Sequence, residues 1–189
     1  MRYRFTHAFF RQTMYEELMT PRRIRLHQQV AQTLEAQYAQ RLEEHAVELA
    51  EHFAFYSDPA DLAKAVQYGE MAARRAMSVF DYGEAVRLLE RAIDVQEVLD
   101  PDDKAKRCDL LLALGEALNS AGEPQRVFEA VAEEAFALAE GLNDRERSSR
   151  ACFVAQWGLR VYGGPGVRGT PVDRQWTERA DRYATGGTA

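Results

Sequence analysis

The chain has 189 residues and a formal net charge of −6 at pH 7, with 46% hydrophobic and 29% charged residues. This composition is typical of a globular chain and excludes a disordered one. No stretch approaches the roughly 18 apolar residues of a membrane span, and Met1 is followed by Arg-rich sequence without the apolar core of a signal peptide. We therefore expect a cytoplasmic protein that does not contact a membrane.

The charge is divided unevenly along the chain. Residues 1–30 contain six Arg and two Glu and carry +4, so residues 31–189 carry −10. An acidic body disfavours a surface that coats nucleic acid, and we expect no direct nucleic-acid partner. Arg22, Arg23 and Arg25 are predicted to form either a solvated helix face or a contact with a neighbouring module, because no interleaved aromatics accompany them.

Breaker residues divide the rest of the chain into helical segments. Five sites combine a polar cap with Pro or Glu in the following turn, and they begin at Thr20, Asp81, Asp100, Asn143 and Thr170. Between these sites the apolar residues recur at spacings of three and four, which predicts amphipathic helices. No segment alternates with period two, so the sequence predicts an all-α fold without a sheet.

A repeat of about 42 residues runs through these helices. Small residues recur at separations of 42, 42 and 43 positions, at Ala31, Ala73, Gly115 and Gly158. Each is expected to let two helix backbones approach closely. The repeat predicts helical hairpins at residues 20–57, 59–99, 101–142 and 144–184. Because a single hairpin cannot bury its apolar face, we expect the antiparallel hairpins to stack on one another.

The second predicted hairpin is similar to a known repeat family. Residues 69–92 resemble a tetratricopeptide repeat, with Ala73, Ala85 and Ala92 at the small positions and Leu89 at the large one. The resemblance implies a tetratricopeptide-like α-solenoid over residues 20–184, followed by a disordered tail at 185–189. The period exceeds the usual repeat of about 34 residues, as in the longer repeats of bacterial signalling ATPases.

The start of the chain carries a second motif. Residues 5–27 read FTHAFFRQTMYEELMTPRRIRLH. This pattern resembles the junction in STAND-type, AAA-related ATPases at which a winged-helix domain ends and helical repeats begin. Such junctions occur in LuxR-type transcription activators and in multidomain adenylate cyclases and kinases of bacteria. The resemblance extends to about residue 142 and implies that residues 1–19 are the terminal helix of a winged-helix-like module.

His7 is the candidate nucleotide-binding residue that this resemblance implies. In the family, a histidine before the terminal winged-helix helix faces the phosphate of the bound nucleotide, and His7 matches it through its Phe-Thr-His-Ala context. An imidazole N–H can donate to a phosphate oxygen, and the alternative is that His7 packs against its own helix. The chain has no GxxxxGK[ST] phosphate loop, so we expect ATP or ADP in a parent protein and no cofactor in this chain. The chain is then either a fragment of that protein or a remnant reading frame that opens at an internal Met.

Two sets of residues invite a metal interpretation. His45, Glu48 and His52 share a helix face at spacings of three and four, but they lack the HExxH order and a further ligand. Cys108 and Cys152 form neither a CxxC pair nor a zinc spacing. We therefore predict packing or solvated histidines, reduced core thiols and no metal site.

The last predicted hairpin contains a glycine-rich loop and several aromatic residues. Residues 164–169 spell GxGxxG, but no strand precedes them, so we predict an inter-helix loop. Trp157, Trp176, Tyr162 and Tyr183 are predicted either to pack in the core or to anchor a ligand in a groove. Trp157 and Tyr162 are the candidate interaction residues of this set.

The sequence lacks any paired acid–base or nucleophile–base constellation, so we expect no enzyme. We expect instead a non-catalytic protein-interaction or sensor segment of a STAND-type signalling ATPase, with an output in transcription regulation. Its groove would bind a protein, a peptide or a small inducer, and its first hairpin would contact an upstream nucleotide-binding domain in cis. The alternative is the regulatory region of a multidomain nucleotide cyclase or protein kinase.

Overall fold

The computed structural model of the protein describes residues 15–55 and 58–183. Within these ranges every regular element is a helix and no strand occurs, which confirms the all-α fold class for this part of the chain. Most of the predicted winged-helix-like segment, including His7, and the predicted tail at 185–189 lie outside the described residues.

The described residues form eight helices, and the longest connections lie between the first and second helices and between the seventh and eighth. They are α1 (Thr20–Gln37), α2 (Ala46–Phe53), α3 (Pro59–Ser78), α4 (Tyr82–Leu99), α5 (Lys104–Ala121), α6 (Pro124–Arg126, a π-helical turn at Val127–Val131, then Ala132–Gly141), α7 (Arg145–Tyr162) and α8 (Pro171–Tyr183). Short 3-10 helices precede α2 at Leu42–His45 and α8 at Pro165–Val167. The second of these lies in the GxGxxG segment, which is a loop between α7 and α8, as predicted.

Carboxylate caps begin four of the helices in the described residues, at Asp58, Asp81, Asp103 and Asp144. Asp81 Oδ1 accepts from the backbone N–H of Glu84 at 3.3 Å, and Asp144 Oδ1 accepts from that of Arg147 at 3.0 Å. These bonds satisfy backbone donors that the first turn of a helix leaves without an intrahelical partner. The predicted helix start at Asp81 is therefore confirmed, whereas the cap of the site predicted to begin at Asn143 is the following residue, Asp144.

Two other predicted caps were displaced along the chain. The sequence pattern placed a cap at Asp100, but the chain forms a turn at residues 101–102 and the helix begins later. Asp103 caps α5, and its Oδ1 accepts from the backbone N–H of Lys106 at 2.9 Å. Asp100 Oδ1 instead accepts from the backbone N–H of Asp102 inside that turn, at 3.0 Å. Thr20 lies within α1, and Met19 occupies the cap position without a side-chain bond.

Every helix packs against the next one along the chain, and α5 also packs against α7. The pairs α1/α2, α3/α4, α5/α6 and α7/α8 coincide with the four predicted hairpins. We call α1, α3, α5 and α7 the first helices and α2, α4, α6 and α8 the second helices. Two clusters of buried side chains hold the helices together: one joins α1, α2 and α3, and the other extends from α2 to Trp176 in α8.

The four small residues of the repeat are all buried. A Cβ atom added at Gly115 would lie 2.6 Å from Cγ1 of Val154, and one added at Gly158 would lie 2.6 Å from Oδ1 of Asn119. Asn119 Nδ2 also donates to the carbonyl oxygen of Val154 at 2.9 Å. The predicted close approach of two helix backbones is therefore confirmed where α5 crosses α7.

A candidate groove along the first helices

Ion pairs and hydrogen bonds connect successive first helices. Glu35 of α1 accepts from both Lys64 and Tyr68 of α3 at 2.6 Å, and these bonds hold the pKa of the Glu35 carboxyl below its ordinary value against the effect of burial. The contacts that continue this row are Glu70–Lys106 at 2.6 Å, Asp109–Arg147 at 2.8 Å and Glu116–Arg150 at 2.8 Å. These contacts therefore join each first helix to the next one in chain order.

The second helices are connected in the same way. The bridging pairs are Glu51–Arg91 at 3.3 Å and Glu133–Arg179 at 2.8 Å, together with Glu90–Arg126. Tyr183 Oη also donates to Glu140 at 2.7 Å, between α6 and α8. Two rows of bridges thus run along the hairpins, one between first helices and one between second helices.

Three adjoining cavities follow the row of first helices, and we call them together the groove. The largest, about 350 Å³, is lined by α3, α4, α5 and α7, with Ala73, Met77 and Ala113 among its apolar walls. A second of about 140 Å³ adjoins it at Asp109 and Arg150. The third, of about 240 Å³, shares Glu116 with the largest. Because the cavities share lining residues, they adjoin one another along the row of first helices.

The charges of the groove are largely paired. Arg147 donates to Asp109 and to Asp144, and these hydrogen bonds raise the pKa of its guanidinium above the ordinary value. Arg74 is exposed and makes no ion pair with any residue in the described ranges. Across the three cavities, five carboxylates and three guanidinium groups belong to the lining residues. Glu70 is also paired with Lys106, which leaves the groove with an excess of one negative charge.

The candidate Trp157 lies at the groove end formed by α5 and α7. Its side chain is 52% exposed and that of Phe153 is 61% exposed, with the two rings at an interplanar angle of 29° and centroids 6.2 Å apart. The core alternative was therefore wrong for Trp157 and right for Trp176, which is fully buried beside Phe136. Tyr162 ends α7, and its side chain is not among those described.

The three candidate arginines lie on α1 and do not line the cavities of the groove. The guanidinium carbon of Arg23 lies 5.5 Å from the ring centroid of Tyr15, a cation–π contact. Arg22 and Arg25 are exposed, and neither forms an ion pair within the described part of the chain. The structure therefore does not bring the arginines together with Trp157 into one site.

Sequence patterns missed a histidine pair between α1 and the end of α2. The Nδ1 atoms of His27 and His52 are 2.7 Å apart, Tyr15 Oη is 2.8 Å from His27 Nε2, and the rings of His27 and Phe55 are stacked at 3.8 Å. Burial lowers the pKa of both histidines. The partners are 25 positions apart, and only the hairpin geometry makes them neighbours, so helical spacing could not reveal the pair.

The residues considered for metal binding have other contacts. His45 Nδ1 lies 2.7 Å from Glu48 Oε2, and the His45 ring stacks on Tyr38, whereas His52 pairs with His27. In the described ranges no three His, Cys, Asp or Glu residues are placed to hold a metal ion. Cys108 and Cys152 are free, buried thiols, and burial raises the pKa of each to about 11. This agrees with the predicted core thiols.

Comparison of the chain with protein-family models, with curated proteins and with solved structures found no match in any of the three. Among the helices of the described residues, none has both the length and the hydropathy needed to cross a bilayer.

Proposed function

We propose that the chain is a tetratricopeptide-like α-solenoid that acts as a non-catalytic protein-interaction segment and binds an extended peptide in its groove. The observation that carries this proposal is the set of adjoining cavities that α3, α5 and α7 line. Stacked hairpins that rotate slightly from one repeat to the next form extended concave surfaces suited to binding. The two rows of bridges support such stacking, because they join first helices to first helices and second helices to second helices.

The residues that line the groove are better suited to binding a peptide than to catalysing a reaction. Apolar walls at Ala73, Met77 and Ala113 alternate with paired charges such as Glu116–Arg150. Apolar surface drives the binding of apolar peptide side chains, and the polar groups fix the register of the peptide. A cavity that stays open along several helices can hold successive side chains of one extended segment.

A random-peptide library displayed on phage tests the proposal directly. Ala113→Arg places a long side chain in the largest cavity, whereas Ala137→Arg makes the same change at an exposed position of α6 that lines none of the three cavities. Peptides selected on the unmodified protein should lose affinity for the first variant at least tenfold and keep it for the second. Selected peptides that bind both variants equally would place their site outside the groove and contradict the proposal.

We further propose that α1 contacts a nucleotide-binding module in cis, in a cytoplasmic STAND-type signalling protein whose output is transcription regulation. The exposed face of α1 supports this, because Met19 is 77% exposed and Leu26 and Val30 are each 41% exposed. Arg22 and Arg25 flank these apolar residues. In such a parent protein ATP or ADP would be the cofactor and His7 the phosphate contact, as the resemblance implies.

Mixing the chain with a separately expressed upstream nucleotide-binding domain tests this part. Leu26→Glu should weaken the association and change nucleotide turnover in the mixture, whereas Leu142→Glu, at a leucine of similar exposure (38% against 41%) after α6, should not. Absence of both association and any effect on turnover would refute the contact while leaving the peptide groove untouched.

A further inference from the structure

We infer that the cavity between α5 and α7 binds the cationic side chain of an arginine or lysine in the bound peptide. This cavity, the aromatic pocket, is lined by Glu116, Asn119, Ser120, Phe153, Val154 and Trp157. The inference rests on the proposed function and specifies the chemistry that one end of the groove selects.

The two aromatic rings supply one half of the recognition. Phe153 and Trp157 are four residues apart on α7, so they occupy the same helix face, and more than half of each side chain is exposed. The face of an aromatic ring carries negative partial charge and attracts a guanidinium or ammonium group placed over it. Within the protein this surface is left open to a partner.

A carboxylate supplies the other half. Glu116 is the charged residue among the described residues that line the aromatic pocket. Arg150 donates both of its bonds to the same atom, Glu116 Oε1, at 3.0 and 2.8 Å. The pair therefore leaves Oε2 to accept from a second cation. The excess of carboxylates over guanidinium groups along the groove also favours a positively charged ligand.

The size of the aromatic pocket indicates a single side chain as its occupant. Its volume of about 240 Å³ lies below the roughly 300–1,000 Å³ that is usual for small-molecule sites. The long aliphatic stem of a lysine or arginine can cover apolar surface while its charged end reaches the polar rim. Val154 and the two aromatic rings provide that apolar surface, and Glu116 is the carboxylate among the lining residues.

Trp157 itself reports on binding once the second tryptophan is removed. In a Trp176→Phe background the fluorescence comes from Trp157 alone, since the chain contains two Trp. The probe is an acetylated (Gly-Arg)₃ peptide at low ionic strength, and the reference is the same peptide with each arginine replaced by neutral citrulline. We expect the arginine peptide to change the fluorescence saturably and to bind about fivefold to tenfold more tightly than the citrulline peptide.

Three variants in that background make the assignment specific. Glu116→Gln should lower the affinity for the arginine peptide about fivefold. Arg150→Gln should raise this affinity about twofold, because Glu116 is then no longer shared with Arg150. Glu134→Gln is the matched control, since Glu134 is also paired with an arginine and its side chain is 43% exposed against 44% for Glu116. The affinity of the Glu134→Gln variant for the arginine peptide should not change.

Three results would overturn the inference. Equal affinity for the arginine and citrulline peptides would show that charge is not selected. An unchanged affinity for the arginine peptide after Glu116→Gln would show that this carboxylate does not hold the cation. If neither peptide changed the fluorescence of Trp157, the aromatic pocket would be ruled out as the binding site. If library peptides still bind the groove in these cases, the proposed function stands; if none binds, the proposed function fails as well.

Discussion

At the scale of single residues, His27 and His52 join α1 to the end of α2 through a bond that requires a neutral ring. Their Nδ1 atoms are 2.7 Å apart, so one ring must accept the proton that the other donates. Burial is the main cause of the lowered pKa in both. The charges of His52 and then Arg23 add to it for His27, whereas Glu51 and Glu48 oppose it for His52. Protonation of both rings would place two positive charges in contact.

The pair predicts a dependence of stability on pH. Because the pKa of each histidine is lower in the folded protein than the unperturbed value of about 6.5, the unfolded state binds more protons below that pH. The free energy of unfolding should therefore fall as the pH drops below about 6.5 and continue to fall until it passes the folded-state pKa values.

Urea denaturation between pH 5 and pH 8 measures how the free energy of unfolding changes with pH. The double variant His27→Gln with His52→Gln should make this change smaller. His45→Gln, which removes a histidine outside the pair, should leave it as it is. An unchanged slope in the double variant would assign the pH dependence to other groups.

The contact between Gly115 and Val154 makes a second prediction at this scale. An added Cβ at position 115 would meet Val154 Cγ1 at 2.6 Å, so Gly115→Ala should cost about 1–3 kcal/mol of stability through overpacking. Combining it with Val154→Ala should be less harmful than the sum of the two changes, because the clash is removed.

The matched control for this change is Gly83→Ala near the start of α4, where no atom lies within 4 Å of the added Cβ. It should stabilise the protein by up to about 1 kcal/mol, since alanine loses less conformational entropy than glycine in a helix. Additive effects of Gly115→Ala and Val154→Ala in chemical denaturation would refute the contact.

At the scale of helical elements, the helix ends use left-handed residues. The chain reverses after α3 at Phe80 (φ 64°), after α5 at Gly122 (φ 81°) and after α6 at Asn143 (φ 55°). In each case the next backbone N–H donates back to a carbonyl five residues earlier, at 2.9 Å, which is the Schellman arrangement. Glycine and asparagine tolerate this conformation, whereas a phenylalanine in it is strained.

Phe80 therefore predicts a stabilising substitution. Its side chain is 76% exposed, so little burial is lost in Phe80→Gly, and relief of the strain should raise stability by about 0.5–1 kcal/mol after the entropy of the new glycine is included. Val79→Gly is the control, because Val79 has φ −106° and gains nothing from glycine. A lower melting temperature for Phe80→Gly would mean that its ring contributes more than its strain costs.

The helix pattern was predictable from sequence because caps and periodicity are local. Asp81 and Asp144 bond to backbone groups three residues away, so their roles depend on no distant contact. Phe80 could not be predicted as a helix end, since its backbone conformation runs against the preference of its side chain.

The candidate site was less predictable than the fold. Trp157 and Val154 both belong to the apolar pattern of α7, yet Trp157 is 52% and Val154 only 2% exposed. Which apolar residues are covered depends on where α5 crosses α7, and only the packed structure fixes that crossing. The exposed aromatic pair therefore could not be identified from helical periodicity.

At the scale of the whole molecule, stability should be graded along the chain. Each helix packs mainly against its neighbours in sequence, so a central hairpin is supported on both sides and a terminal one on one side. Amide hydrogen exchange should be slowest in α4 and α5 and fastest in α1 and α8. Uniform protection across all eight helices would indicate a single cooperative unit instead.

The rows of ion pairs between successive hairpins have a mechanical consequence. They join flexible, half-exposed side chains, such as Lys64–Glu35 and Arg150–Glu116, and such pairs are weak and screened by salt. Salt would therefore loosen only the electrostatic part of each joint between hairpins, because the buried side chains that also hold the hairpins together are not screened. Small rotations at successive joints add along the array, so the width of the groove would change with ionic strength while every helix stays folded.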